Sequence, residues 1–249
     1  MKLLKIPVLV ALLLAAFVVA KAQNADEIMD KHLKAIGTQE AWNNIKSVRM
    51  EGTMSVQGME IGVTQTILLG KAMRRDISVM GMSGYSIVTK TEGWNYMPFQ
   101  GQTKPEPMKA DMLKMEQQEL ELKSKEMYDY KSRGTKAELL GKDTTNKIAC
   151  YKIRFTEKDG SESVSYFDIS TYYIVRMETK IKQDDQEQEM TVNYNNYKKL
   201  DGGIVMPMSV SMSMGDITFK SIEINKTIDE SIFKPADPKA TTESATKKG

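Results

Sequence analysis

From Ser47 onward, apolar and polar residues alternate one for one over long stretches, and this period of two constrains the fold more than any other feature of the chain. Side chains on a β-strand point alternately to opposite faces, so such a run forms a strand with one apolar and one polar side. In SVRMEGTMSVQG, Val48, Met50, Met54 and Val56 alternate with Arg49, Glu51, Thr53, Ser55 and Gln57. Past the turn at Gly58, Met59, Ile61, Val63, Ile67 and Leu69 share a face; past Gly70, Met73, Ile77 and Val79 do the same. The connections are short, which makes neighbouring strands antiparallel, and one-sided burial is what antiparallel sheets show. A further strand is expected over YSIVTKTEGWNY, ending in Trp94 and Tyr96.

The alternation then breaks. Residues 98–107 are rich in Pro, Gly and Gln and read as a loop. From Lys109 to about Met127 there is no Pro or Gly, and Met108, Met112 and Met115 recur at helical spacing. This predicts a helix, or two short ones, laid across the sheet with those methionines on its inner side. Strands resume with Tyr151, Ile153 and Phe155, a hairpin turn at Asp159-Gly160, and Val164 and Tyr166 on the return. Val175, Met177 and Ile181 follow, then a polar turn QDDQEQE, then Met190, Val192 and Tyr194. After Asp201-Gly202-Gly203 comes the most regular strand, VMPMSVSMSMG. There Met206, Met208, Val210, Met212 and Met214 oppose Pro207, Ser209, Ser211 and Ser213. The last strand, DITFKSIEIN, changes phase between Phe219 and Ile222, which predicts a bulge. The sum is a mainly β chain with one antiparallel sheet of about ten or eleven strands, and so many strands curl into a barrel or part of one.

The first 22 residues read differently. Lys2 and Lys5 precede an apolar run from Ile6 to Ala20, and Ala20-Lys21-Ala22 supplies a small-x-small cleavage site. This is the pattern of a secretory signal peptide cleaved after Ala22. No Cys stands beside the site for a lipid anchor, so a soluble periplasmic monomer is expected. A helix follows, capped by Asn24 or Asp26, with Ile28, Leu33 and Ile36 as its apolar stripe; a second begins at Thr38 with Trp42 and Ile45 inward. The domain is expected over residues 23–235. The tail 236–249, polar and without apolar period, is expected to be disordered.

Composition narrows the function. Losing Lys2, Lys5 and Lys21 with the leader turns the formal charge of +2 into −1, which leaves no basic field for nucleic acid. Cys150, the only cysteine, lies in a strand and reads as a buried thiol; His32, the only histidine, reads as a helix-surface residue. No metalloprotease, nucleophile-elbow or phosphate-loop motif is present, so the reading is not an enzyme and needs no cofactor. Nineteen methionines stand out instead. Methionine is unbranched and adapts its shape, which suits a face that must accept varied apolar partners. Thioethers also bind Cu(I), and Met80-x-Met82, Met206-x-Met208 and Met212-x-Met214 have spacing to consider. Strand residues at i and i+2 stand roughly 7 Å apart, however, which fits an apolar trough better than a metal cage.

In their order, several segments resemble the LolA-like outer membrane lipoprotein-sorting protein family, a periplasmic lipoprotein carrier superfamily. MRRDI is similar to its Arg-containing third strand, and EGWNYMP to its Gly-x-Trp-x-Tyr-like strand with Gly93, Trp94 and Tyr96. SYFDISTYYIVRM, with Phe167 and Asp168, resembles its aromatic-Asp-then-strand unit, and INKTIDESIFKP, with Phe233 and Pro235, its closing strand and finish. The resemblance implies an unclosed half-barrel whose apolar concave face holds acyl chains of lipids or lipoproteins under a helical lid. Membrane-associated donor and acceptor proteins would load and unload it. The lipid-binding residues expected are Met50, Met54, Met59, Ile61, Met73, Trp94, Tyr96, Met108, Met112, Met115, Met177, Met190, Met206, Met208, Met212 and Met214. Arg74 or Arg75 is expected at the lid or a head group. The same fold also serves the alternative of an envelope sensor or scaffold that binds lipid or a protein partner.

Overall fold

The computed structural model describes residues 24–122, 127–183 and 186–235. The expected signal peptide and polar tail lie outside the described residues. Thirteen strands form one sheet: β1 (Ser47–Val56), β2 (Met59–Leu68), β3 (Ala72–Val79), β4 (Met82–Thr89), β5 (Gly93–Tyr96), β6 (Glu106–Pro107), β7 (Lys136–Thr145), β8 (Ile148–Thr156), β9 (Glu162–Asp168), β10 (Ile174–Gln183), β11 (Gln186–Lys199), β12 (Val205–Met212) and β13 (Gly215–Ile224). Their spatial order is β6-β5-β4-β3-β2-β1-β13-β12-β11-β10-β9-β8-β7, antiparallel throughout. The end strands β6 and β7 do not pair with each other, so the sheet is an open half-barrel. The first and last long strands, β1 and β13, meet at its centre.

Three differences from the sequence reading have simple causes. The segment ending in Trp94 and Tyr96 is two strands, because Thr89 folds the chain back: its hydroxyl accepts from the Glu92 amide at 3.0 Å and its amide donates to the Glu92 carbonyl at 2.8 Å. β7 went unseen because its alternation is weak; only Ala137 and Leu139 pack inward from it. Gln186–Glu189, expected in a turn, already belong to β11. The expected bulge is present: the β1–β13 register slips between Glu51 and Gly52, which skips Lys220. Gly52 is required there, since a Cβ would stand 2.3 Å from the Thr218 carbonyl oxygen.

Helix α1 (Ala25–Ile36) is capped by Asn24, whose side chain accepts from the Glu27 amide at 2.8 Å. It lays Ala25, Ile28 and Met29 on Tyr151, Ile153, Phe155 and Phe167 of β8 and β9. His32 faces the same way and is 2% exposed, not on the helix surface as expected. It lies one turn after Ile28 and Met29, on their stripe. Its Nδ1–H donates to the Tyr172 carbonyl at 2.7 Å, and its ring meets Phe167 edge-on at 5.1 Å. Burial pushes its pKa down to about 4, against the opposing pull of the Tyr172 bond. Helix α2 (Gln39–Asn43), capped by Thr38, buries Trp42 with Ile45, Val48, Ile204, Ile222 and Ile224. Helix α3 (Ala110–Glu116) and the 3-10 turn Gln117–Leu120 place Leu113 and Leu120 on Ile67, Met73 and Val88. All three helices therefore cover one face, called here the inner face.

After β13 the chain crosses to the other, outer face. Ile228, Ile232 and Phe233 pack there on Ala72, Tyr85 and Ile87, with Leu68, Trp94 and Tyr96 alongside. Cys150 is buried on the outer side of β8 with Tyr166 and Val175, and burial raises its thiol pKa.

A half-open apolar face as the candidate site

Register fixes which residues share the inner face. Directly paired residues point the same way, and the ladder pairs Val48 with Ile67, Met50 with Gln65, Met54 with Ile61 and Val56 with Met59. It continues through Met73–Val88, Ile77–Gly84 and Val79–Met82 on one side. On the other side it runs through Met54–Ile217, Val210–Ile217, Val192–Met212 and Met177–Val192. The face thus carries apolar side chains on ten strands of the sheet, from β4 to β10 and on through Phe167 of β9 to Phe155 and Ile153 on β8.

Cover divides this face. Where β1 begins, Val48, Met73 and Val88 are fully buried beneath Trp42, Ile45 and Leu120. Toward the opposite ends of the same strands, Met54, Val56, Ile61, Val63, Ile77, Val79, Val210, Met212 and Ile217 are only half-buried, and Met59 and Met82 are exposed. None of them belongs to the clusters packed beneath the helices, so an apolar trough stands open at that end.

The boundary is marked by one ion pair. Arg75 lies on the inner face between Gln65 of β2 and Ser86 of β4, and its guanidinium meets the Glu116 carboxylate of α3 at 3.4 Å. Behind it the cover is held more firmly. Gln117 donates to the carbonyls of Thr89 and Lys90 at 2.9 and 2.8 Å, and the Gly70 amide donates to the Leu120 carbonyl at 2.9 Å. Gly93 allows the close approach, since a Cβ would stand 2.7 Å from Met108 Sδ and 2.9 Å from Leu113 Cδ1.

Of the residues singled out in the sequence, Met50, Met54, Met59, Ile61, Met73, Met177, Met190, Met206, Met208 and Met212 share the inner face. Met73 lies wholly under the cover, while Met50, Met206 and Met208 border it. Met214 sits in the β12–β13 turn. Trp94 and Tyr96 are on the outer face, beneath the C-terminal segment. The turn at Thr89–Glu92 resets the phase, and Trp94 pairs with Ile87 rather than with the inner Val88. Met115 is exposed, and Met112, though half-exposed, meets the edge of the sheet, where the Asn95 amide of β5 donates to its Sδ at 3.7 Å; the inward stripe is Leu113 and Leu120, and Met108, which precedes the helix, packs inward with them. Arg74 also faces outward: it holds Asp76 at 2.7 Å, donates to the Ile232 carbonyl at 2.9 Å and lies 4.4 Å from the Tyr85 ring centroid. The reading of single residues missed Val63, Ile77, Val79, Met82, Val210 and Ile217 as trough residues, although the same period of two marks them.

The outer face has a different chemistry. A cleft of about 530 Å³ there is lined by Glu51, Thr53, Thr64, Asp76, Ser78, Ser83, Thr218 and Lys220, together with Gly52, Gly62, Val63 and Ile77. Its hydroxyls, carboxylates and ammonium suit an acyl chain less well than the inner face does. The apolar trough and this cleft are back to back on the same strands. Among the described residues, no three His, Cys, Asp or Glu side chains converge on a common point, and no helix is long and apolar enough to cross a membrane.

The architecture is one seen before. No family model matches the chain, and no curated protein matches it in sequence. Solved structures do match in fold. A DUF1329 family protein from Desulfovibrio piger is similar with a TM-score of 0.55 and 12% identity, over 86% of this chain and 98% of that one. An outer membrane lipoprotein-sorting protein domain from Vibrio parahaemolyticus gives 0.53 and 11%, over 85% and 97%. A LolA superfamily protein from Nitrosomonas europaea gives 0.50 and 12%, over 86% and 98%. The fold is LolA-like.

Proposed function

We propose that this protein is an exported, periplasmic carrier that binds acyl chains of lipids or lipoproteins in the open trough of its inner face. The observation that carries this reading is the uncovered apolar end of the face, from Ile61 and Ile77 across to Met212. Each methylene moved from water onto such a surface gains about 0.8 kcal/mol. A chain of about ten methylenes then gains about 8 kcal/mol before ordering costs, enough for useful affinity without polar recognition. Methionine side chains refill the space when cargo leaves, which keeps binding reversible. The proposal is binding and release, with no chemistry on the cargo. Burial of Tyr194, on the same face, raises its hydroxyl pKa and keeps it neutral beside the trough.

In this reading α3 is the lid, and Arg75–Glu116 holds its edge against the sheet. Cargo that runs on under the cover would have to displace Leu113 and Leu120. The test is direct. Protein isolated from its host should carry lipid by native mass spectrometry, and delipidated protein should take up a fluorescent fatty acid that natural lipid displaces. Protein that is empty and also takes up nothing would sink the proposal.

A further inference from the structure

Among the described residues, three neighbouring hairpins end at the open edge of the trough: β1–β2 at Gln57–Gly58, β3–β4 at Met80–Gly81 and β12–β13 at Ser213–Met214. In the sheet order β4-β3-β2-β1-β13-β12 they stand side by side. Met80 is 86% exposed, Met214 66%, Met59 50% and Met82 46%, so four of the seven exposed large apolar side chains among the described residues crowd one rim. Within two positions of these turns the only charged residues are Glu60 and Asp216.

Turn stability does not account for Met80. Met80 and Gly81 have φ of 50° and 81°, the left-handed pair of a two-residue hairpin turn, where Asn, Asp or Gly is the favoured first residue. Methionine there strains the backbone and exposes a thioether side chain, so fold stability alone would select against it. The rim is also continuous with the trough. The last ladder pairs, Val56–Met59, Val79–Met82 and Met212–Gly215, carry the inner apolar face out to the tips.

We infer that this methionine rim docks on a lipid bilayer, seating in its interfacial hydrocarbon so that acyl chains pass between membrane and trough without crossing water; the passage, though not the docking, rests on the carrier reading above. Separate protruding tips with flexible, unbranched side chains fit a deformable phase. They offer neither a groove nor a charge pattern for a protein surface to match. Glu60 and Asp216, the charges beside the tips, oppose attraction to anionic lipid, which leaves apolar contact as the driving force. A few partly inserted side chains give weak, reversible binding of the kind a single acyl anchor gives, which suits a carrier that must leave again.

The mature protein should float with phosphatidylcholine vesicles, and adding phosphatidylglycerol or high salt should change this little. The triple variant Met80→Asn, Met82→Ser, Met214→Ser should lose about tenfold or more in partitioning. The double variant Met80→Asn, Met214→Ser, confined to the turns and sparing the trough residue Met82, should also float less and should keep its fatty acid uptake in vesicle-free solution. Met80→Asn alone should match or exceed the wild-type Tm, because Asn suits the turn, while still weakening flotation; lost docking is then not lost folding. Absence of wild-type flotation, equal flotation of the triple variant, or binding abolished by salt would each overturn the inference. So would self-association that the triple variant loses in the absence of vesicle binding, which would assign the rim to a second copy of the chain. Lost fatty acid uptake with flotation intact would overturn only the carrier reading.

Discussion

Val48, Met73 and Val88 are sealed from solvent, whereas Val56, Val79 and Met82, further along the same three strands and on the same face, meet it. The two ends share strands, alternation and residue types, and both contain methionine. What differs is the cover. Trp42 from α2 and Ile45 just after it, and Leu113 and Leu120 from α3 and the turn after it, are spent on one end of the face. A strand's apolar face is thus a core or a binding surface according to what another part of the chain lays over it.

That contrast makes unequal predictions for the two ends. Trp42→Ala at the covered end removes a fully buried indole and its 3.2 Å bond from Nε1–H to the Ile36 carbonyl. It should cost about 3–5 kcal/mol of unfolding free energy. Ile61→Ala at the open end should cost about 1 kcal/mol. Urea unfolding measures both, and equal losses would mean that cover does not separate the two ends.

The next effect is pH-dependent and belongs to the covered region. His32 has its folded pKa lowered from 6.5 to about 4, and its Nε2 is buried with no hydrogen-bond partner among the described residues. Between those values the unfolded chain binds a proton that the folded protein refuses. Stability is therefore full above about pH 6.5 and falls as the pH drops toward 4, by about 3 kcal/mol in total. Replacing His32 with Leu should flatten that part of the stability profile. An imidazole that titrates near 6.5 by NMR in the folded protein would refute the burial argument.

Much of this was legible in the sequence, for a physical reason. Period-two alternation reports which side chains share a face, and the inner-face methionines on β1, β2, β3 and β10 to β12 follow from it. Phase is lost wherever a turn resets it, as at Thr89–Glu92, and so Trp94 and Tyr96 fell on the wrong side. The helical stripe failed similarly: a helix of seven residues has too few turns for Met108, Met112 and Met115 to define a face. His32 was misplaced because one titratable residue on an amphipathic helix gives no sign of which stripe edge it joins. Cover itself is a long-range contact between segments far apart in the chain, and no local pattern encodes it.

At the open end, function should change while stability barely moves. The double variant Ile61→Asp, Met212→Asp places two carboxylates on half-buried positions that face the trough. Fatty acid uptake should be abolished, with a β-sheet circular dichroism spectrum retained, since ionised groups there keep access to water. Undiminished uptake would move the site off this face, with the outer cleft around Thr53 and Asp76 the next place to look.

The smallest effect is expected at the border between the two ends. Arg75 and Glu116 are about a quarter and a fifth exposed, so their 3.4 Å pair is partly screened and should contribute about 0.2–1 kcal/mol. Arg75→Gln should hardly change the Tm. If the pair restrains the lid, the same variant should exchange fluorescent fatty acid faster in both directions with little change in equilibrium affinity. Glu116→Gln should have the same effect, and the two together no more than either alone, because each removes the same contact. Additive effects would mean that each residue acts through a different partner, and the lid edge would then be held by Gln117 and Leu120, on the covered side of the border.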